Sequence, residues 1–165
     1  MYILEQFYKK ILKKDPPYYA KYSLLTIIWK PIRKYINVVI IPNVPFSKLR
    51  VFLYRLIGFK IGKNVFIGMK CYLDDVAIDK MKIEDDVTIS YGCYFACHGK
   101  GQNHTSLVIQ RDVYIGMRCN IISGKKGIVI GHESIIAAGS LVNKDVKYKT
   151  TVAGVPIQEV VNEKN

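Results

Sequence analysis

The chain has 165 residues, with 25 Lys and Arg against 13 Asp and Glu, for a net charge of +12. That length admits one domain with a sizeable core plus an appendage, and a hydrophobic share of 50% excludes a disordered chain. The charge is lopsided. Residues 1–60 hold twelve basic side chains against Glu5 and Asp15, whereas the remainder holds thirteen basic and eleven acidic ones, so a basic, partner-seeking segment precedes a nearly neutral body.

Tyr2 to Lys14 predicts a short amphipathic helix, with Ile3, Phe7 and Ile11 opposed to Lys9, Lys10, Lys13 and Lys14 and Asp15-Pro16-Pro17 as its stop. LLTIIW (24–29), KPIRKY (30–35) and INVVII (36–41) follow, closed by Pro42 and Pro45. None approaches the roughly 18 apolar residues of a membrane-crossing helix, and Pro31, Arg33 and Lys34 interrupt the middle. SKLRVFLYRLIG (47–58) is again amphipathic: Leu49, Phe52, Leu53 and Leu56 share a face, with Ser47 as N-cap and Gly58 as C-cap. Aromatic, aliphatic and basic residues in alternation suit a helix lying in a lipid headgroup region, and equally helices that pack on the body with their basic faces in water. Nucleic acid fits less well, because the aliphatic content is high and no recognised module is present. No secretory leader pattern occurs, which predicts a cytoplasmic protein, peripheral at the inner face of the membrane if residues 1–60 bind lipid.

From residue 61 the chain divides into IGKNVF, IGMKCY, an irregular LDDVAIDKMK, then IEDDVT and ISYGCY; it resumes as IQRDVY, IGMRCN, IISGKKG, IVIGHES, IIAAGS and LVNKDV. A period of six led by Ile, Leu or Val is neither helical nor simple strand alternation. It predicts a parallel β-helix in which leading aliphatics stack inside, with glycines and small residues at tight corners, some at positive φ. Cys71, Cys93, Cys97 and Cys119 lie in this region without a CxxC pair, and read as small buried hydrophobes rather than disulfides or zinc ligands. FACHGKGQNHT (95–105) breaks the rhythm with a polar stretch carrying His98 and His104.

These hexads, with TVAGVPIQEV (151–160) and the lead-in PNVPFSKLRVFLYRLIGFKIGKNV (42–65), resemble the hexapeptide-repeat acyltransferases, and within them the bacterial polysaccharide and sugar O-acetyltransferases. The resemblance implies an all-β, left-handed parallel β-helix over 61–150, with an excursion loop at 97–107, a helical basic segment at 1–60 and a tail at 151–165. It further implies a homotrimer with active sites between neighbours, acetyl-CoA as cosubstrate, no metal, and a saccharide hydroxyl as acceptor. In such a site a neutral imidazole takes the hydroxyl proton as the oxygen attacks the thioester, and a backbone N–H receives the oxyanion. The family's base sits where the loop leaves the strand, which points to His98; His104 is the reserve, as acceptor ligand or as base under a shifted alignment. His132, in IGHES, reads as a solvated turn residue.

Substrate contacts fall to Lys100 and Gln102 in the loop and to Asp85 and Asp86, which could also orient an imidazole. For acetyl-CoA the resemblance points to Ala138, Gly139 and Ser140, to Gly154 and Pro156, and to Lys144, with Lys147 and Lys149 near the phosphates. Two departures stand out: Ser123–Gly127 is longer than the usual turn, and Ile157-Gln158 replaces the usual small-then-basic pair. An N-acetyltransferase of amino sugars and a serine-type O-acetyltransferase stay open on the same scaffold. A γ-carbonic-anhydrase-like zinc site does not match the spacing of the three histidines, and a non-catalytic β-helix would bind no acetyl-CoA.

Overall fold

The hexad leaders set the architecture. Ile67, Leu73, Ile83, Ile89, Phe95, Ile109, Ile115, Ile121, Ile130, Ile136 and Val142 are all buried, each contributing about 1.5–3 kcal/mol by leaving water. They are buried against one another because the chain coils. In the computed structural model, which describes residues 3–16, 23–98 and 104–160, three parallel ladders run along the coil axis. One joins Lys60–Ile61, Met81–Ile83, Leu107–Ile109 and Ile128–Ile130, in register through Ile61, Ile83, Ile109 and Ile130. A second aligns Ile67, Ile89, Ile115, Ile136 and Val152. The third aligns Phe95, Ile121 and Val142, and is extended one coil earlier by a parallel bridge from Tyr72 to Tyr94. The protein is thus a parallel β-helix, as the six-residue period requires. Thr151–Ala153 ends it, paired antiparallel with Gln158–Glu159.

The corners follow a division of labour that the sequence pattern only half reveals. The fourth hexad position takes positive φ, mostly on non-glycine residues such as Asn64, Lys70, Asp86, Asp112, Arg118 and Glu133, and on glycine at Gly92 and Gly139. The second-position glycines serve a different need. A Cβ on Gly116 would lie 2.6 Å from the backbone nitrogen of Ala138, and one on Gly131 2.5 Å from that of Tyr148. Neighbouring coils approach too closely there for any side chain. Gly116→Ala is therefore expected to cost about 1–3 kcal/mol of stability by overpacking, read as a lowered urea midpoint with an unchanged slope.

All four cysteines are buried and free. Cys71, Cys93 and Cys119 share the fifth hexad position with Val87, Val113, Ser134 and Ser140, where only a small side chain fits. Their thiols reach the carbonyls of Ser90, Gly116 and Ala137, each at 3.1 Å.

Ahead of the coils the chain forms α1 (Ile3–Lys10), α2 (Leu24–Tyr35), a π-helical turn at Ile36–Ile40 and α3 (Ser47–Leu56). Two compact units divide between Ile36 and Asn37. Within the first, α2 runs through Pro31, so LLTIIW and KPIRKY form one helix; Ser23 caps it, its Oγ accepting from the Thr26 amide at 3.2 Å. Within the second, α3 packs on the first coils. Its Arg50 donates to the carbonyls of Val44 and Ile67, and its Tyr54 hydroxyl donates to Cys71 O at 3.1 Å. Ser47 is the first helical residue rather than the expected N-cap: Phe46 takes that position without a side-chain bond, while Gly58 just past the end adopts φ +114° as expected of a helix stop. Among the described residues no helix is long and apolar enough to cross a membrane.

Candidate active site

The irregular stretch LDDVAIDKMK and the polar loop belong to one place. The bridge from Tyr72 to Tyr94 fixes the register of the first coil against the second. Two residues beyond Tyr72, the chain therefore brings Asp74 under the end of the strand Tyr94–Ala96, where Cys97 and His98 begin the loop. His98 and His104 form an antiparallel bridge, and the Thr105 amide donates to Cys97 O at 2.9 Å. The loop is pinched shut at its base, and His98 sits on the fixed side of that neck.

His98 Nδ1 lies 2.6 Å from Oδ2 of Asp74. The same oxygen accepts the Cys97 amide at 2.7 Å, and Oδ1 accepts the Val76 amide at 3.0 Å. Asp74 is 0% exposed, whereas the His98 side chain keeps 29% of its surface. A carboxylate accepting two backbone N–H groups has no freedom to rotate, so it dictates the ring that it touches. Because the ionised Asp74 carboxylate can only accept, the neutral ring carries its hydrogen on Nδ1 and keeps its lone pair on Nε2. That is the arrangement a general base requires.

Around the pair, Tyr72 and Tyr94 stack with ring centroids 4.6 Å apart. The Tyr72 hydroxyl donates to Asp75 at 2.9 Å, and burial, then that carboxylate, raises its pKa above the ordinary phenol value. Cys97, next to the histidine, is no rival nucleophile. Burial, then the charge of Asp74, pushes its thiol up to about 12, which leaves almost no thiolate at neutral pH. On the other side of the neck, Thr105 bonds the Ser123 hydroxyl at 2.6 Å and Gly124 O at 2.8 Å, so the long Ser123–Gly127 turn braces the loop's return.

Asp74 is the residue that the sequence pattern did not single out, and it corrects the expectation for Asp85 and Asp86 as imidazole partners. Asp85 accepts the Lys63 amide at 2.6 Å, and Asp86 accepts Asn64 Nδ2 at 3.1 Å. Both hold a coil corner, on an open concavity shared with Lys60, Arg111 and Asp112 that includes neither His98 nor Asp74. His104 is exposed at the neck. His132 stacks on Tyr148 at 5.2 Å and meets Glu133 at 3.1 Å, a surface corner as expected. Lys100 and Gln102 lie outside the described residues.

The late-coil residues expected around acetyl-CoA divide. Ala138, Gly139, Gly154 and Pro156 are exposed, and Lys144 is exposed on the following turn. Ser140 is buried; its hydroxyl donates to Ala137 O at 2.6 Å and accepts the Gly154 amide at 3.3 Å. It therefore ties the last coil to the AGVP turn, leaving contact with a ligand to its neighbours.

A family profile described as the hexapeptide repeat of succinyl-transferase matches residues 58–94 and 107–144, and breaks at the loop. The galactoside O-acetyltransferase of Escherichia coli K12 is 31% identical over 121 residues, covering 65% of this chain but 58% of its own length. The chain thus spans little more than half of that relative. A hexapeptide-repeat-containing acetyltransferase from Vibrio cholerae superposes with a TM-score of 0.67 at 24% identity, over 87% of this chain and 95% of its own. A second structure, of that acetyltransferase from Vibrio cholerae O1 biovar eltor complexed with acetyl coenzyme A, has a TM-score of 0.66 at 24% identity, over 95% and 98% of the two chains. At that identity the structural likeness establishes the fold. Together with the hexad profile and the coil-by-coil register, it means that this chain carries the hexapeptide repeat and folds as the parallel β-helix seen in these acetyltransferases.

Proposed function

We propose that the protein is an acetyl-CoA-dependent O-acetyltransferase whose acceptor is a hydroxyl of a saccharide, such as a surface polysaccharide or its lipid-linked precursor. The observation that carries this reading is the His98–Asp74 pair at the anchored edge of the loop. Nε2 of His98 takes the proton of the acceptor hydroxyl while its oxygen attacks the thioester carbonyl. The C–S bond then breaks, and the imidazolium returns its proton to the departing CoA thiolate. Both substrates occupy one cleft, so no acyl-enzyme forms; the protonated, buried Cys97 supports that route.

Acetyl-CoA runs along the late coils past Ala138, Gly139, Gly154 and Pro156, with Lys144 toward its phosphates. The cleft is completed by a second copy of the chain in a homotrimer, with Lys100 and Gln102 of the loop at the acceptor. The saccharide assignment draws on the galactoside named for the Escherichia coli relative and on the polysaccharide-type lead-in of residues 42–65. Such an enzyme acts at the cytoplasmic face of the membrane.

The test is transfer of labelled acetyl from acetyl-CoA to a panel of galactosides, amino sugars and serine. Label on a sugar oxygen, stable to mild acid and released by alkali, is the expected result. Label on nitrogen only would move the protein to the amine acetylators. Absence of both transfer and acetyl-CoA binding would leave a non-catalytic β-helix.

A further inference from the structure

Helix α3 is packed with its more apolar stripe facing away from the protein. Arg50, Val51 and Tyr54 form the buried side, and Arg50 and Tyr54 hold it there through the bonds to Val44, Ile67 and Cys71 described above. The opposite side presents Leu49, Phe52 and Leu56, 44%, 56% and 70% exposed. That i, i+3, i+7 spacing places them on one stripe of the helix. In the same compact unit Val38, Val39, Ile40 and Phe46 are also exposed. α2, in the other unit, repeats the pattern by itself: Leu25, Ile28, Trp29 and Ile32 are exposed at i, i+3, i+4 and i+7, with Lys30 and Lys34 between and beyond them. Large apolar side chains in a row on the outside of two helices mark a surface that something covers.

The charge of the same segment identifies the cover. No Asp or Glu occurs between Asp15 and Asp74, while Lys30, Arg33, Lys34, Lys48, Arg55, Lys60, Lys63 and Lys70 all fall inside that interval. Two such carboxylate-free basic surfaces repel each other, which disfavours a second copy of the chain as the occupant. An anionic bilayer offers phosphates to the lysines and acyl chains to Leu49, Phe52 and Leu56 together. Trp29 and Tyr35 have the amphipathic rings that settle at the boundary between the two.

We infer that the outward stripe of α3, backed by the β-helix, is an anionic-lipid-binding surface that inserts at the headgroup boundary without crossing it, and that α2, in the other unit, carries a second stripe of the same kind. This deepens the reading of a lipid-linked acceptor, since it holds the catalytic coils at the surface where such an acceptor resides. The two are nevertheless separable by experiment.

The experiment floats the full chain with vesicles of phosphatidylcholine alone or of phosphatidylcholine with phosphatidylglycerol. Trp29, the sole tryptophan, serves as reporter. Binding to the anionic vesicles, a blue shift of Trp29 emission and weakening by salt are expected. The triple variant Leu49→Ser, Phe52→Ser, Leu56→Ser should lower the partition at least about tenfold, with an unaltered circular dichroism spectrum because all three side chains face solvent. Transfer from acetyl-CoA to a soluble acceptor, measured on the same preparations, should be unchanged in the variant. Equal flotation of variant and parent would overturn the assignment of the α3 stripe. Failure of the parent to bind phosphatidylglycerol would overturn the lipid surface while leaving the acetyl-transfer reading untouched. Concentration-dependent self-association that the variant abolishes would instead give the stripe to a second copy.

Discussion

His98→Ala is expected to lower kcat for acetyl transfer by about 10²–10⁴-fold, equivalent to about 3–5 kcal/mol of transition-state stabilisation. The expectation rests on what the ring has and what it lacks. It has a fixed carboxylate at Nδ1, and among the described residues no hydrogen bond reaches its other nitrogen. In the proposed mechanism its removal takes away the group that accepts the hydroxyl proton, so kcat and kcat/KM for the acceptor should fall together. Acetyl-CoA, which the proposed mechanism places on the late coils, should bind as before; a dissociation constant for acetyl-CoA within about twofold of the parent would separate lost chemistry from a lost site.

Truncation also leaves Asp74 buried with one donor fewer, which could itself disturb the neck. His98→Gln answers that concern, because its amide keeps a donor within reach of the carboxylate but has no basic nitrogen. Both variants should therefore be equally impaired if the imidazole acts as base. His104→Ala is the companion measurement. Among the described residues His104 is exposed and joined to the neck through its backbone bridge, so its loss should act on acceptor KM before kcat. Near-normal turnover in His98→Ala, with collapse in His104→Ala, would exchange the two roles.

The coils were legible because their signal is repetitive and local. One Ile or Leu every six residues leaves a single way to bury the set, and Ile67, Ile89, Ile115 and Ile136 lie in one ladder as that period demands. The polar loop with His98 and His104 was legible for a related reason: an interruption in a repeat marks itself, while the preference for His98 came from the family resemblance. Asp74 was not, because its meaning depends on register between coils. It lies 24 residues before its partner, within a stretch whose pattern is broken, and Asp85 and Asp86 looked equally available on the next corner. The usable signal was that two irregular segments, LDDVAIDKMK and the loop, follow the third face on consecutive coils. Stacking puts consecutive coils in contact, so two breaks one coil apart meet. The outward stripe of α3 was hidden by a different ambiguity. An amphipathic pattern identifies the apolar side but not the surface that it faces, and here Arg50 and Tyr54 take the inner side through backbone carbonyls that no pattern displays.

The Asp74 carboxylate invites the second large effect. Its two oxygens accept three N–H groups: Cys97 and His98 on Oδ2, Val76 on Oδ1. An asparagine of the same shape must turn its NH₂ toward one side. Facing Oδ2's partners, it would oppose the Cys97 amide and force the ring to accept at Nδ1, shifting the hydrogen to Nε2 and extinguishing the base. Facing Val76, it would lose one backbone bond but preserve the ring's tautomer. The second arrangement sacrifices fewer bonds, so Asp74→Asn should keep its fold. It should still lose about 10²–10³-fold in kcat, because a neutral amide no longer stabilises the imidazolium formed as the proton arrives. Asp74→Ala strands the buried Cys97 amide, at about 1–3 kcal/mol, removes the partner of the part-buried Val76 amide, and should be both less stable and less active. Nitrogen NMR of labelled histidine distinguishes the cases, since the parent and Asp74→Asn should both carry the neutral-ring hydrogen on Nδ1 while Asp74→Ala loses that preference. A variant Asp74→Asn with full activity would mean that the carboxylate serves only to fasten the coil, and would return the orientation of His98 to the neck of the loop alone.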